Sequence, residues 1–507
     1  MTATPAPPTP GATTIGPDEL PAHATGLLAG GYRVALVAGH DDRPAGGGLR
    51  AVYLFTRAAS AAEPQRRVEL HVPLDPEHPR LPSLAAVSFP TGRFERELHD
   101  LFGIIPADHP LPRRLVRHFH WPKGWYPMLS DAGAPPEFGD VDGPYPFRAV
   151  EGPGVYEIPV GPVHAGMIGP GHFRFSVVGE TILNLKARLW FVHRGIEKLF
   201  QGSPLDRCVE LAERISGDTS VGHTLAFCAA VEDALGITVG DDVLRNRAVL
   251  LELERLYNHV ADIGMLCNDV AHGILNSHAG TVREQLLRIN DEITGSRLLR
   301  GVIRPGATSL RVLPDPTALA ALADEVAEIV DLALGHSVVR DRFTGTAVLT
   351  AAQASDIGVL GYIARASGLT VDARYDHPWL PAPLPRPVPH TTGGDVLARF
   401  TVRAAEFRHS VDTIAALVTG GKSAAAGEAE VPAAAGPRSG VGIVEGWRGT
   451  IVHRVELGAD GRPTRVKIVD PSFFNWPALP VALADTIVPD FPLVNKSFNL
   501  SYAGNDL

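Results

Sequence analysis

Glu95-Arg96-Glu97-Leu98-His99-Asp100-Leu101-Phe102-Gly103-Ile104 is followed by His109-Pro110-Leu111-Pro112-Arg113-Arg114-Leu115. Apolar residues from Phe94 to Phe102 recur at helical spacing, so this run forms a helix with one face for a sheet. Candidate strands precede it: Arg33-Val34-Ala35-Leu36-Val37, Arg50-Ala51-Val52-Tyr53-Leu54-Phe55 and Arg67-Val68-Glu69-Leu70-His71-Val72. Each alternates with period two, which marks strands half buried against such a helix. Residues 26–125 therefore read as a small α+β domain.

Outward from this domain the chain changes character twice. Residues 1–25 open with Pro, Thr and Ala and read as a disordered tail. Residues 126–154 are rich in Pro and Gly and read as a linker. Residues 155–507 form the larger domain, opening with strand-like runs at Tyr156–Val160 and His172–Val178. Helical patterns follow at 180–200, 206–235, 243–270, 281–299 and 316–334, several apolar on most faces, as in a bundle interior. Residues 423–440 read as a loop and 446–469 as a β-hairpin turning at Ala459-Asp460-Gly461. The fold class expected is α+β: a small α+β domain, then a helical bundle with peripheral β-structure.

At 507 residues the chain exceeds one ordinary core. Its net charge of −10 argues against nucleic-acid binding, which needs a basic face. Three cysteines, Cys208, Cys228 and Cys267, make neither a disulfide framework nor a Cys-x-x-Cys pair, and read as buried thiols. There is no signal-peptide pattern and no apolar stretch of about 18 residues. A cytoplasmic protein, held at a membrane only through partners, is expected.

Two sets of motifs carry a family resemblance. The segment Glu95–Leu115 closely resembles the signature of the C-type component of complex I, with a helix end and an Arg-rich turn paired where two subunits meet. Gly161-Pro162-Val163-His164, His172-Phe173-Arg174-Phe175, Gly179-Glu180 and His193-Arg194-Gly195-Ile196-Glu197-Lys198 resemble the opening of the D-type component of complex I and of membrane-bound nickel–iron hydrogenase large subunits. Arg304-Pro305-Gly306, Asp372-Ala373-Arg374, Gly394-Asp395 with Arg399, Glu445-Gly446-Trp447-Arg448-Gly449-Thr450 and His453 continue the match in register. The order is that of a C–D fusion.

The resemblance implies two Cys-x-x-Cys pairs holding nickel and iron, whose soft character suits thiolates. The first, R-x-C-G-x-C, is Arg214-Ile215-Ser216-Gly217-Asp218-Thr219 here, which puts Ser216 and Thr219 at the ligand positions. The second, D-P-C-x-x-C, is aligned with Asn495–Leu500, which puts Ser497 and Leu500 there. Hydroxyls are poor nickel ligands and Leu500 has no donor, so no metal and no cofactor bound by this chain itself are expected. The quinone-facing Tyr of the D-type component falls on Gly217, and its His falls near Gly169-Pro170.

The remaining polar positions define the expected site. Catalytic candidates are His164, His172, Arg214, Asp218 and His223, and cofactor-binding candidates are Ser216, Thr219, Arg374 and Ser497. Asp218 and His223 could pass protons, as His does near neutral pH. The resemblance implies a small partner subunit with an iron–sulfur cluster, antiporter-like membrane subunits and a possible quinone. It also attaches NAD and quinone binding, and a donor such as NAD(P)H or a reduced carrier, although no GxGxxG fingerprint is present. An electron- and proton-handling subunit, a scaffold with a lost cavity and a hydrogenase with unusual ligands are the three functions considered.

Overall fold

The structure is a computed structural model and describes residues 12–59, 66–164, 168–380, 384, 390–419, 425–426, 436 and 438–507. Four strands, Ala12–Thr14, Arg33–Asp41, Leu49–Arg57 and Arg66–Leu74, form the first sheet. The first strand pairs parallel with Arg66–Leu74, and the other pairings are antiparallel. Residues 12–25 are therefore ordered, contrary to the expected tail. Ala12–Thr14 is an edge strand and Leu20–Ala29 a helix whose Leu20 and Ala24 are fully buried. The apolar residues Ile15, Leu20 and Ala24, spaced among Pro and Thr, account for it.

Helix Phe89–Phe102 lies on this sheet, buries Phe94, Leu98, Leu101 and Phe102, and stops at Gly103 in the left-handed region. Its charges bind within the chain. Arg96 donates to the carbonyls of Arg113 and Arg114 at 2.7 and 3.1 Å. Asp100 Oδ2 accepts the N–H groups of Leu115, Val116 and Arg117 at 2.7–3.1 Å. The backbone of the Arg-rich turn is thus clamped by its own helix.

Beyond 126–154, where no helix or strand forms, Val155–Val160, His172–Val178 and Thr181–Arg188 make an antiparallel sheet. The helix expected over 180–200 is corrected: Thr181–Arg188 is a strand, and only Ile196–Phe200 is helical. Ile182 and Leu185 face inward while Thr181 and Leu183 face out, a pairing pattern the run of apolar letters obscured. The pattern at 206–235 splits into helices Leu205–Ala212 and Ser220–Leu235. The break between them carries residues 213–219.

Helix Asp241–Asp269 is central and packs on Gly273–Thr294 and Val396–Thr419. The last of these had no apolar signature, because buried Arg399, Arg403, Glu406 and Ser410 interrupt its period. Strands Arg438–Gly446, Gly449–Leu457 and Pro463–Val469 form an antiparallel sheet against Ser220–Leu235. A Cβ on Gly442 would collide with the Ala226 carbonyl oxygen, so only glycine lets strand and helix approach this closely. Most of the expected loop 423–440 lies outside the described residues. Among the described residues no helix is long and apolar enough to cross a membrane.

Candidate functional site

The helix break at 213–219, the turn at 446–449 and the C-terminal turn at 499–503 converge beside helices Asp241–Asp269 and Gly273–Thr294. They line an open cavity of about 600 Å³. Asp218 organises its floor. Arg448 grips both carboxylate oxygens, with Nη1–Oδ1 and Nη2–Oδ2 each 2.7 Å. Ser216 Oγ donates to Oδ1 at 2.9 Å and Thr219 Oγ1 at 3.1 Å. Burial works against the charge on Asp218, but the Arg448 guanidinium outweighs it and holds the carboxyl down at about 2. The Asp218 carbonyl accepts from Trp447 Nε1 at 3.0 Å and Asn258 Nδ2 at 2.9 Å.

Arg448 extends the arrangement to the C-terminus. Its Nε donates to the Asn499 carbonyl at 2.6 Å, and its guanidinium lies 3.9 Å over the Trp447 ring. Ser501 Oγ sits 2.8 Å from Ser216 Oγ. The Ser216 proton is already given to Asp218, so Ser501 is the donor in this pair. Ser501, and not Ser497, is therefore the C-terminal residue facing Ser216. This corrects the alignment by four residues. Ser497 is buried behind the wall, where Oγ donates to the Val494 carbonyl at 2.7 Å and accepts from Arg399 Nε at 2.9 Å.

In the corrected register Asn499-Leu500-Ser501-Tyr502-Ala503-Gly504 occupies the second motif. A Cβ on Gly504 would lie 2.5 Å from Asp470 Cγ and Oδ2, so the Asp470 carboxylate fills the volume of a side chain there. Asp470 Oδ2 lies 3.0 Å from His223 Nε2, and His223 Nδ1 lies 3.1 Å from His453 Nε2. All three are fully buried. Burial opposes the charge on Asp470, but the His223 hydrogen bond and the Arg448 charge hold its carboxyl below the ordinary range. His223 thus donates from Nε2 to an ionised carboxylate. Burial, reinforced by His223, pushes the His453 pKa well down, so its imidazole is neutral and donates from Nε2 to His223 Nδ1.

A nickel–iron centre does not fit these residues. The four positions hold Ser216, Thr219, Ser501 and Gly504: three hydroxyls already engaged, and one glycine whose side-chain space holds a carboxylate. Thiolates are what the softer metals need. Cys208, Cys228 and Cys267 lie buried in helices and do not line the cavity. Burial pushes the Cys208 and Cys267 thiols up to about 12.

The other expected residues disperse. Arg214 is exposed and donates to the Glu210 carbonyl at 2.7 Å, pointing away from the cavity. His172 Nδ1 lies 3.1 Å from the Gly161 carbonyl, with its ring against Phe147. His164 lies tilted beside Phe173 and the wall residue Tyr502, with centroids 6.0 and 6.4 Å away, and does not itself line the cavity. Arg374 belongs to a separate buried network with Asp372 and Glu252. Sequence reasoning missed Arg448, Ser501, Asp470 and Glu254 as site residues. Arg448 stands inside the Glu445–Thr450 motif, and Ser501 lies four residues beyond Ser497, past the end of helix Phe491–Phe498. Glu254 accepts the N–H groups of Val221 and Gly222 at 2.6 and 3.0 Å, and burial pushes its carboxyl up to about 8.

Fold and site together define a large subunit of the type that pairs a small α+β domain with a cavity-bearing helical domain in oxidoreductase complexes. The model for the 30 kDa subunit of respiratory-chain NADH dehydrogenase matches residues 13–137, and that for the 49 kDa subunit matches residues 273–433. Hydrogenase-4 component G of Escherichia coli (strain K12) is 30% identical over 429 residues, covering 81% of this chain and 73% of that protein. Formate hydrogenlyase subunit 5 of the same organism is 29% identical over 491 residues, covering 94% of this chain and 85% of that one. A chain of the membrane-bound sulfane sulfur reductase, an archaeal respiratory membrane complex, superposes with a TM-score of 0.63 at 23% identity. That match covers 70% of this chain and 98% of the other and shows the shared fold. The chain belongs to the family of fused complex I 30 kDa/49 kDa-type subunits and membrane-bound hydrogenase large subunits.

Proposed function

We propose that this chain is the large subunit of a membrane-associated oxidoreductase complex that works without a nickel–iron centre. It takes electrons from a cluster in a small iron–sulfur partner and delivers them, with protons, to a quinone or another small acceptor in the cavity. The observation that carries this reading is the Asp218–Arg448 pair on the floor of an intact cavity of about 600 Å³. A volume in this range suits small-molecule binding. The Asp470–His223–His453 chain behind it supplies groups suited to proton transfer. Attachment to the cytoplasmic face of a membrane would come from antiporter-like partner subunits.

The test is to purify the complex, assay nickel by elemental analysis, and follow reoxidation of the reduced clusters by naphthoquinones. Nickel below one-tenth equivalent, with reoxidation that fails in the His223→Asn and Arg448→Ala variants, is expected. Stoichiometric nickel would overturn the metal-free reading and restore a hydrogenase with unusual ligands. Unchanged reoxidation in both variants would favour the second reading, a scaffold that joins the cluster-bearing partner to the membrane arm. One observation favours that alternative: the hydroxyls of Ser216, Thr219 and Ser501 are hydrogen-bonded within the protein.

A further inference from the structure

The cavity wall carries more positive than negative charge once each group is matched with its partner. Its two carboxylates are Asp218 and Asp262. Asp218 is neutralised by Arg448, and Asp262 by Arg403, whose Nε lies 2.8 Å from Oδ2. Asn499 Nδ2 takes up the other Asp262 oxygen at 2.6 Å. Neither carboxylate is free to balance anything else on the wall.

Two wall cations have no such match among the described residues. Arg283 carries its guanidinium 5.9 Å from the Tyr257 ring centroid, and its Nε is buried without a hydrogen-bond partner in the protein. Lys496, also half-buried on the wall, forms no ion pair within 4 Å. Its charge opposes the rise that burial gives the Asp269 carboxyl. Near the Gly217 edge, Arg300 spends its donors on neutral acceptors, the Ser220 hydroxyl at 3.1 Å and the Gly217 carbonyl at 3.4 Å. The buried Arg283 Nε donor is costly to leave unmatched unless something in the cavity supplies an acceptor.

We propose that the cavity is an anion site: the acceptor it takes bears a negative charge, held by Arg283 and Lys496 on the wall shared with the Asp218–Arg448 pair. This rests on the reading of the cavity as an acceptor site and adds the chemical class of the acceptor.

The experiment uses two probes of similar ring size, 2-hydroxy-1,4-naphthoquinone, ionised at neutral pH, and 2-methyl-1,4-naphthoquinone, which is neutral. Each is titrated calorimetrically into the purified complex at low and high salt, with wild type, Arg283→Gln, Lys496→Gln and the double variant. The anion is expected to bind about tenfold tighter or more, which is a single charge-assisted contact's worth. The preference should shrink with salt, as partly exposed charges require, and vanish in the double variant. Equal binding of both probes would overturn the anion inference and leave the acceptor site standing. A preference that survives in a folded double variant would overturn the assignment to Arg283 and Lys496. Binding of neither probe would remove the acceptor reading and the inference with it. The salt dependence of the wild type needs no variant and keeps the test decisive if the substitutions impair folding.

Discussion

The side chain that residue 504 lacks and the carboxylate of Asp470 compete for one volume: a Cβ on Gly504 would sit 2.5 Å from Asp470 Oδ2. That oxygen is the one paired with His223 at 3.0 Å. The absence of a side chain at 504 and the placement of the carboxylate against histidine are thus sterically linked.

Gly504→Ala should therefore destabilise the chain by about 1–3 kcal/mol, the usual cost of overpacking. The double variant Gly504→Ser with Asp470→Gly returns both the space and an acceptor for His223, and should recover part of the loss. Chemical denaturation of the full chain reads both. A Gly504→Ala variant as stable as wild type would show that Asp470 does not hold that volume.

Glu254 gives a pH signature. Its folded-state carboxyl is raised to about 8 by burial, against the two N–H bonds from Val221 and Gly222. Between about pH 4.5 and 8 the unfolded chain releases this proton while the folded chain keeps it. Its contribution to stability is full below about pH 4.5 and is lost as pH rises through about 8. Glu254→Gln should flatten the stability profile across that window, measured by denaturation midpoints at about pH 5, 6.5 and 8. An unchanged slope would mean that Glu254 ionises freely in the fold.

Much of this was legible in the chain itself. Period-two strands at 33–37, 50–55 and 67–72 and the helix at 94–102 stand where alternation placed them. What stayed hidden has physical reasons. Arg399, Arg403 and Glu406 are wholly buried, so an apolar-stripe criterion passes over helix Val396–Thr419. Ser216 and Thr219 were found because Arg214 and Gly217 anchor their motif, although Arg214 itself turns to solvent. Ser501 was missed because Asn499-Leu500 replaces the Asp-Pro landmark. Asp470 belongs to no motif, and only a three-dimensional exclusion reveals it.

Arg448→Lys tests the floor of the cavity. It keeps the charge but loses the planar fork that spans both Asp218 oxygens and the Asn499 carbonyl. The complex should still assemble, while acceptor reduction falls by about tenfold, the cost of one lost charge-assisted hydrogen bond. Steady-state kinetics beside a native-gel check of assembly separates the two effects. Full activity in the lysine variant would reduce Arg448 to a generic positive charge.

Lys467 tests the join between the halves. Its Nζ reaches Glu97 at 2.8 Å and Glu197 at 3.1 Å, and all three are buried. Lys467→Met leaves two buried carboxylates facing each other and should cost about 3–5 kcal/mol. Replacing Glu97 by Gln in the same chain should restore much of it, since Glu197 keeps Arg465 at 2.8 Å. Differential scanning calorimetry would decide, and a single variant within the error of wild type would refute the role.

The same join has a consequence for how the chain is put together. Lys467–Glu97, Arg454–Glu69 and Arg50–Glu456 all cross from the first sheet and its helix to the last sheet. None involves 126–154, which contributes no strand or helix. The peptide connection is nonetheless more than a tether: Tyr145 accepts from Arg96 of the first half at 3.3 Å and lies 4.7 Å beneath the Arg188 guanidinium of the second. Fusion, in this architecture, lays a covalent strap across a seam that the paired charges also close.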